Sequence, residues 1–468
     1  MKTKLFALLS AVVMVIPFVR PSGTQALNFT LKDTIHSESA ILINLDCDTI
    51  IHEKNADTKQ MPGPLVNIMT AVVCIEECSD LKAEVTIDEE VYSSLYNTEY
   101  YDDLRFADIY DGDVLSYMDL LYAMMLTSSV EASQTIAYNI GGESVSTFVD
   151  KMNEKAEEIG LYSTHFTNPT GMYDVNQYTT ARDMAVLTEY ALTVPNFDKI
   201  CSAYSYNPSV PNLENHPDHN DWVWYHSNSM MDSESDYYYP GVRGVKTGNL
   251  EIGGRNIVSL ASKDGHNYLL VAMKSPLSDE DGDVTFYHLE DAKYLLNWAF
   301  NHFSYQVILA DKTEIRELPV ALADTNSGYV LAKPKEEVTM LWYDEIDTSL
   351  ISRDNITWYK TDLQAPVKKG ELLGEVTLEY SGEPLATVEL VAVSDVERSW
   401  TKYNLYAAQM FTKSNWFKKA IVISCVLCVL YILICIYSYV MFRNKSKPIK
   451  PKYAVPKVES SKSQKKKK

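Results

Sequence analysis

The sequence predicts an α+β chain: a unit with strands at both ends and helices between, then a small β-sandwich domain, then one membrane-spanning helix at the C-terminus. Three observations carry this. Strand-like runs stand at both ends of the segment preceding Tyr305, with helical periodicities between them. Strict alternation replaces helical spacing beyond Tyr305, and Ala420–Phe442 holds no charged residue.

Ile41–Lys54 (ILINLDCDTIIHEK) reads as two short strands around a turn at Asp46–Asp48. A helix is expected to start at Pro64, because proline suits the first helical position; Ile68, Ala71, Val72 and Ile75 form its buried stripe. Leu115–Met125 is a second apolar helix, followed by the turn Thr127-Ser128-Ser129. Val145, Phe148, Met152, Ala156 and Ile159 recur at helical spacing and stop at Gly160. Thr180 and Asp183 open the next helix as a capping box, with Met184, Leu187 and Ala191 inside. Asn256–Ala261 and Tyr268–Met273 are strands joined at Asp264-Gly265, and a helix over Leu289–Phe300 closes the unit. In the following β domain Val376, Leu378 and Tyr380 alternate with Glu375, Thr377 and Glu379, and Val388, Leu390 and Ala392 are placed around Glu389, up to about Val396.

Residues 1–26 read as a secretory signal: Lys2 and Lys4, an apolar run from Leu5 to Val19, then small residues ending at Ala26. Residues 420–442 span about 35 Å as a helix, enough to cross a bilayer core of roughly 30 Å. The tail from Arg443 carries eleven bases against one acid, which predicts a cytoplasmic C-terminus and an outside location for the rest. The expected organisation is therefore signal 1–26, helix-covered domain 27–304, β domain 305–399, juxtamembrane linker 400–419, span 420–442 and basic tail 443–468. Trp416 and Phe417 are placed for the membrane interface.

Of the total charge of −21, the first 26 residues carry +3 and the tail +10, so residues 27–442 carry −34. Such acidity argues against nucleic acid or anionic membrane as the ligand of the large domain. The basic tail suits a plain stop-transfer anchor, with anionic headgroups or a cytoplasmic protein as alternatives. Four of the seven cysteines, Cys47, Cys74, Cys78 and Cys201, precede the membrane helix, too sparse for a disulfide framework. No metal site or cofactor is expected. Cys74, Cys78 and Glu77 lack histidine ligands at suitable spacing, and Asn215-His216-Pro-Asp218-His219-Asn-Asp221 reads as an irregular surface loop. Asn28-Phe-Thr30 and Asn355-Ile-Thr357 match glycosylation sequons, a pattern that chance supplies often.

Lys246-Thr247-Gly248 forms a KTG box. Upstream, Met61–Thr70 (MPGPLVNIMT) has the layout of a serine-x-x-lysine helix start, with Pro64 in the serine slot and Asn67 in the lysine slot. Around these boxes lie HEKNADTKQMPG at 52–63, NEKAEEIGLYSTHFTNPTGMYDVNQYTTARDMA at 153–185, YYPGVRGVKTG at 238–248 and APVKKGELLGEV at 365–376. Through these runs the chain resembles, from about Ala40 to Val396, the low-molecular-weight penicillin-binding proteins, D-alanyl-D-alanine carboxypeptidases of the serine peptidase S11 type.

The resemblance implies a helix-covered five-stranded sheet and a site built from serine-x-x-lysine, serine-x-asparagine and lysine-threonine-glycine motifs. It implies removal of the terminal D-alanine of peptidoglycan stem peptides through an acyl-enzyme, and a β domain that holds the catalytic domain off the membrane. This chain departs from that pattern. Pro64 has no hydroxyl and no backbone N–H for an oxyanion hole, Asn67 takes no proton at neutral pH, and Val130 fills the asparagine slot of Ser128-Ser129-Val130. Only Ser128, Lys246, Thr247 and Gly248 match. With one lysine in place of two, Lys246 is expected to stay charged, hydrogen-bonded to Ser128.

Three readings follow. In the first, a non-catalytic relative binds a peptidoglycan stem peptide or a cell-wall protein, using Thr247 and the strand edge after Lys246. In the second, an enzyme uses a displaced nucleophile, Ser128 with Lys246 as base, Ser129 and Thr70 being weaker candidates. In the third, a structural or signalling partner acts through the basic tail.

Overall fold

The sheet of the first unit is antiparallel and five-stranded, with Thr49–Lys54, Ser39–Asn44, His266–Ser275, Gly254–Lys263 and Val242–Leu250 side by side in that order. The computed structural model describes Phe29 and residues 31–208, 214–217, 222–324 and 328–445. The expected signal, the Asn28 sequon, residues 218–221 of the His/Asp loop and the tail beyond 445 lie outside the described residues.

Strands β1 (Ser39–Asn44) and β2 (Thr49–Lys54) form the first hairpin. A single 3-10 turn over Gly63–Val66 leads into α1 (Asn67–Glu77). The helix thus begins three residues later than the proline suggested. Pro64 sits inside a tighter turn, where its missing N–H costs nothing. The expected stripe is also an understatement: every residue from Asn67 to Ile75 is buried, because α1 is wrapped on all sides.

Short strands β3 (Glu84–Thr86) and β4 (Val114–Ser116) pair and deliver the chain to α2 (Tyr117–Thr127). Ser116 and Asp119 close a full capping box there. Then come α3 (Val130–Ile140), α4 (Val145–Glu158), α5 (Ala181–Thr193) and the short α6 (Phe197–Cys201). At α5 the Thr180 hydroxyl accepts from the Asp183 N–H, but the Asp183 carboxylate turns to the Ser163 N–H and the Thr164 hydroxyl. Only half of the expected box forms, because the loop before the helix competes for the acid. A small pair, β5 (Ser205–Tyr206) and β6 (Trp224–Tyr225), precedes the long strands β7 (Val242–Leu250), β8 (Gly254–Lys263) and β9 (His266–Ser275).

Helix α7 (Tyr287–His302) covers the other face of the sheet. The period of two sorts the strands between two cores. Ile41, Ile43, Val258, Leu260, Leu269 and Val271 face the α1–α6 layer, while Ala40, Leu42, Ile257, Ala261, Leu270 and Ala272 pack on Leu289, Leu295 and Leu296 of α7.

Beyond α7, β10 (Phe303–Leu309) forms a strand, and β11 (Arg316–Pro319), β12 (Tyr329–Pro334), β13 (Val338–Tyr343), β14 (Ser352–Trp358), β15 (Leu372–Tyr380) and β16 (Glu383–Ala392) follow. β10 pairs with β13, and Thr339–Leu350 belongs to the first compact unit together with the chain up to Ile308. The second unit takes Leu309–Val338 and the chain from Ile351. Its sheet is antiparallel, in the order β11-β12-β16-β15-β14, with Val376, Leu378, Val388 and Leu390 buried on one face.

The segment expected as a linker is helical. Ser399 caps α8 (Trp400–Lys413), whose sequence contains neither glycine nor proline, and α9 (Asn415–Lys445) follows after Ser414. Within α9, Asn415–Arg443 is long and apolar enough to cross a membrane: its most apolar 18-residue window has a mean hydropathy of 2.9, and none of that window is buried in the protein.

Candidate functional site

The junction between α2 and α3 positions the first polar group of the cleft. Ser128 ends α2 in the left-handed region, at φ 67°, with its N–H bonded to the Met124 carbonyl. A non-glycine residue held there costs on the order of 1 kcal/mol or more, and the arrangement turns its hydroxyl toward β7. Ser129 then caps α3: its hydroxyl accepts from the Ala132 N–H at 3.0 Å and donates to Glu131 at 2.7 Å. That commits Ser129 to structure. Glu131 also accepts from the Ala107 N–H, and burial pushes its carboxyl pKa upward.

On the facing side, Lys246 is fully buried under the cleft floor and its Nζ lies 2.5 Å from Ser128 Oγ and 3.1 Å from the Thr247 carbonyl. Among the described residues no carboxylate pairs with it. Burial pulls its pKa down to about 7, which overturns the expectation of a fixed charge. A neighbouring cation is one way to lower a lysine pKa; loss of water is another, and here it suffices. His226 beside it is also buried, and its imidazole pKa is held down at about 3 by desolvation first and the Lys246 charge second. Thr247 turns its hydroxyl the other way, 2.7 Å from the Ser227 hydroxyl.

Pro64 and Asn67 close the floor. The Asn256 amide donates to the Met61 and Pro62 carbonyls, each at 3.1 Å, and so fixes the approach to Pro64. Gly248 packs closely on that proline: a Cβ on it would stand 3.0 Å from Pro64 Cδ. Asn67 is fully buried, and its Nδ2 donates to Ser133 Oγ and to the Pro169 carbonyl, both at 3.1 Å, while its Oδ1 has no partner among the described residues. Thr70 likewise donates to the Pro169 carbonyl, at 2.9 Å, which occupies the hydroxyl read as a minor candidate. Val130 is buried and presents only methyl groups.

Pro64, Ser128, Thr247 and Gly248 therefore share one cleft of about 300 Å³, with Lys246 beneath it. Its walls also include Asp103, Arg105, Ser227, Arg255 and His288.

The model of the family described as D-alanyl-D-alanine carboxypeptidase, peptidase S11, matches residues 26–276, and that of the penicillin-binding protein 5 C-terminal domain matches residues 303–398. The chain belongs to the peptidase S11 family. It is 24% identical over 380 residues to the D-alanyl-D-alanine carboxypeptidase DacF of Bacillus subtilis, covering 78% of this chain and 90% of that one. Against DacA of Haemophilus influenzae the identity is 26%, over 77% of this chain and 86% of the relative. Penicillin-binding protein 5 of the same species superposes with a TM-score of 0.54 at 23% identity, over 79% of this chain and all of that one. The carboxypeptidase DacD of Francisella tularensis gives 0.56 at 20%, over 80% of this chain and 96% of that one. At these identities the likeness of structure shows the fold.

Within this S11 scaffold, several cleft residues have no signal in the motifs. Ser227 and Arg255 arrive from a loop and from the strand beside the KTG strand. His288, at the start of α7, is buried with an unpartnered Nδ1, and burial holds its pKa at about 3. Asp103 and Arg105 come from the chain between β3 and β4. None is within reach of a motif by spacing; only the folded domain brings them together. Of the metal-like loop, His216 bonds Asp113 at 2.9 Å and stacks on Trp222. Among the described residues no group of three or more His, Cys, Asp and Glu side chains is placed to hold a metal ion.

Proposed function

We propose that this member of the S11 family is a membrane-anchored protein that binds a peptidoglycan stem peptide, or a cell-wall protein, without turning it over. The observation that carries this is the pairing of Pro64 at the cleft floor with an Asn67 whose amide is committed to Ser133 and to the Pro169 carbonyl. Acyl transfer by the family's route needs an attacking hydroxyl at position 64 and a proton acceptor at position 67. Proline supplies neither the oxygen nor an N–H for the developing oxyanion. Losing one such donor typically costs about 10²–10³ in rate, and losing nucleophile or base on the order of 10⁶. The binding elements, Thr247, Ser227 and the free edge of β7, are retained. The apolar α9 and the basic residues after it support a single-pass anchor with the large domain outside.

The test uses the purified full chain in detergent, beside a Pro64→Ser, Asn67→Lys, Val130→Asn variant, each challenged with a fluorescent penicillin and with isolated cell-wall sacculi. The expected result is sacculus binding by both and covalent labelling of the variant alone. Labelling of the unaltered chain would defeat the reading.

A second reading has one specific observation in its favour: Ser128 Oγ lies 2.5 Å from a Lys246 whose pKa is about 7. A lysine so tuned can serve as a general base, with Ser128 as nucleophile. Labelling that disappears in Ser128→Ala would establish this reading in place of the first.

A further inference from the structure

The cleft along β7 is divided into two unequal parts. The larger, of about 300 Å³, runs beside Thr247, Gly248 and Asn249. The smaller holds about 10 Å³, room for one water at most, between Leu104, Val130, Met172 and Leu250. Pro64, Asp103, Arg105 and Ser128 border both. One of these shared walls is tied to the end of β7. Asp103, on the loop between β3 and β4, accepts a hydrogen bond from the Glu251 N–H at 2.9 Å, and Glu251 begins the turn from β7 to β8. The two residues are 148 positions apart, so the bond ties two separate loops together at the end of the strand.

β7 is an edge strand of its sheet. A peptide binds such an edge by adding a strand, which needs a clear path beside it. Beside Thr247–Asn249 that path is open for about three residues, some 10 Å at roughly 3.3 Å per residue. At Leu250 it meets the Asp103–Glu251 contact. We infer that Asp103 sets the length of peptide this cleft accepts: about three residues lie in the groove, and anything longer turns out to solvent at the Asp103–Glu251 contact. This inference rests on the proposed binding of a peptide, and it adds that the site engages a short chain end with the rest of the chain making no contact. Asp103 is a positioning and length-selecting residue: it borders the groove and closes its end through Glu251.

The experiment measures binding of two peptides ending in D-alanyl-D-alanine, three and six residues long, to the full chain in detergent by calorimetry. The unaltered protein is expected to bind both within twofold. Asp103→Ala, which frees the end of the groove, is expected to bind the longer peptide at least fivefold more tightly than the shorter. Asp103→Asn keeps an acceptor oxygen and is expected to behave as the unaltered protein does, which separates the hydrogen bond from the charge and from any folding defect. A preference for the longer peptide in the unaltered protein, or none in Asp103→Ala, overturns length selection while leaving peptide binding intact. Failure of both peptides to bind any of the proteins overturns length selection and the stem-peptide reading together.

Discussion

Gly171 lies against the Gly63–Pro64 peptide so closely that a Cβ on it would stand 2.1 Å from the Gly63 oxygen and 2.6 Å from the Pro64 nitrogen. Its φ of 82° is also one that side chains avoid. The loop carrying Pro169 is thus clamped onto the turn that precedes α1. Gly171→Ala is expected to cost roughly 2–4 kcal/mol by combining left-handed strain with a backbone clash. Thermal unfolding of the two proteins checks it; an unchanged melting temperature would show that the loop can move away freely.

Lys246 gives the protein a pH signature. Its pKa is about 7 when folded, well below the value of an exposed lysine, so between those two values the unfolded chain binds the extra proton and stability rises with pH. Below pH 7 the buried group is charged in both states and the penalty is fully present. Relative to Lys246→Met, the native chain is expected to gain up to about 1.4 kcal/mol per pH unit between pH 7.5 and 9.5. Chemical denaturation of both proteins at those two values measures the difference; parallel curves would mean that water reaches Lys246.

Ser129→Ala removes the cap of α3 and one donor to Glu131. The cap alone is worth about 1 kcal/mol. Burial raises the Glu131 pKa, so this acid disfavours the folded state increasingly as pH rises through the window above its unfolded value, and the Ser129 hydroxyl opposes that shift. The penalty for Ser129→Ala is therefore expected to be larger at pH 7.5 than at pH 4.5. Melting curves at the two values test the sign.

Ending the chain at Ser399 removes α8 and α9 while keeping Arg398, whose side chain bonds the Ala365 carbonyl within the β domain. The truncated protein is expected in the soluble fraction, and the full chain in membranes resistant to alkaline extraction. Equal partitioning of the two would remove the role proposed for α9.

Much of this architecture is written in local spacing. The apolar runs of β8, β9 and α9, the alternation in β15 and the periodicity of α4 are local patterns, and the corresponding elements form over those runs. The motif slots are equally legible, because Pro64, Asn67, Val130 and Lys246 are fixed in register by their neighbours in sequence. The start of α1 was less legible, since a proline is compatible with the first turn of either a 3-10 or an α-helix, and packing decides which. The helix α8 was hidden because an exposed amphipathic stretch and a linker share a composition.

At positions 64 and 67 the chemistry is set by the sequence: a proline and an asparagine there supply neither a hydroxyl nor a proton acceptor. The tertiary structure decided the condition of what remains. Whether Lys246 carries a proton depends on how completely β7 and its neighbours exclude water. The amide of Asn67 is spent on a carbonyl 102 residues away, and the groove ends where Asp103 meets Glu251. Desolvation and long-range pairing are properties of packing, and no spacing within one segment encodes them.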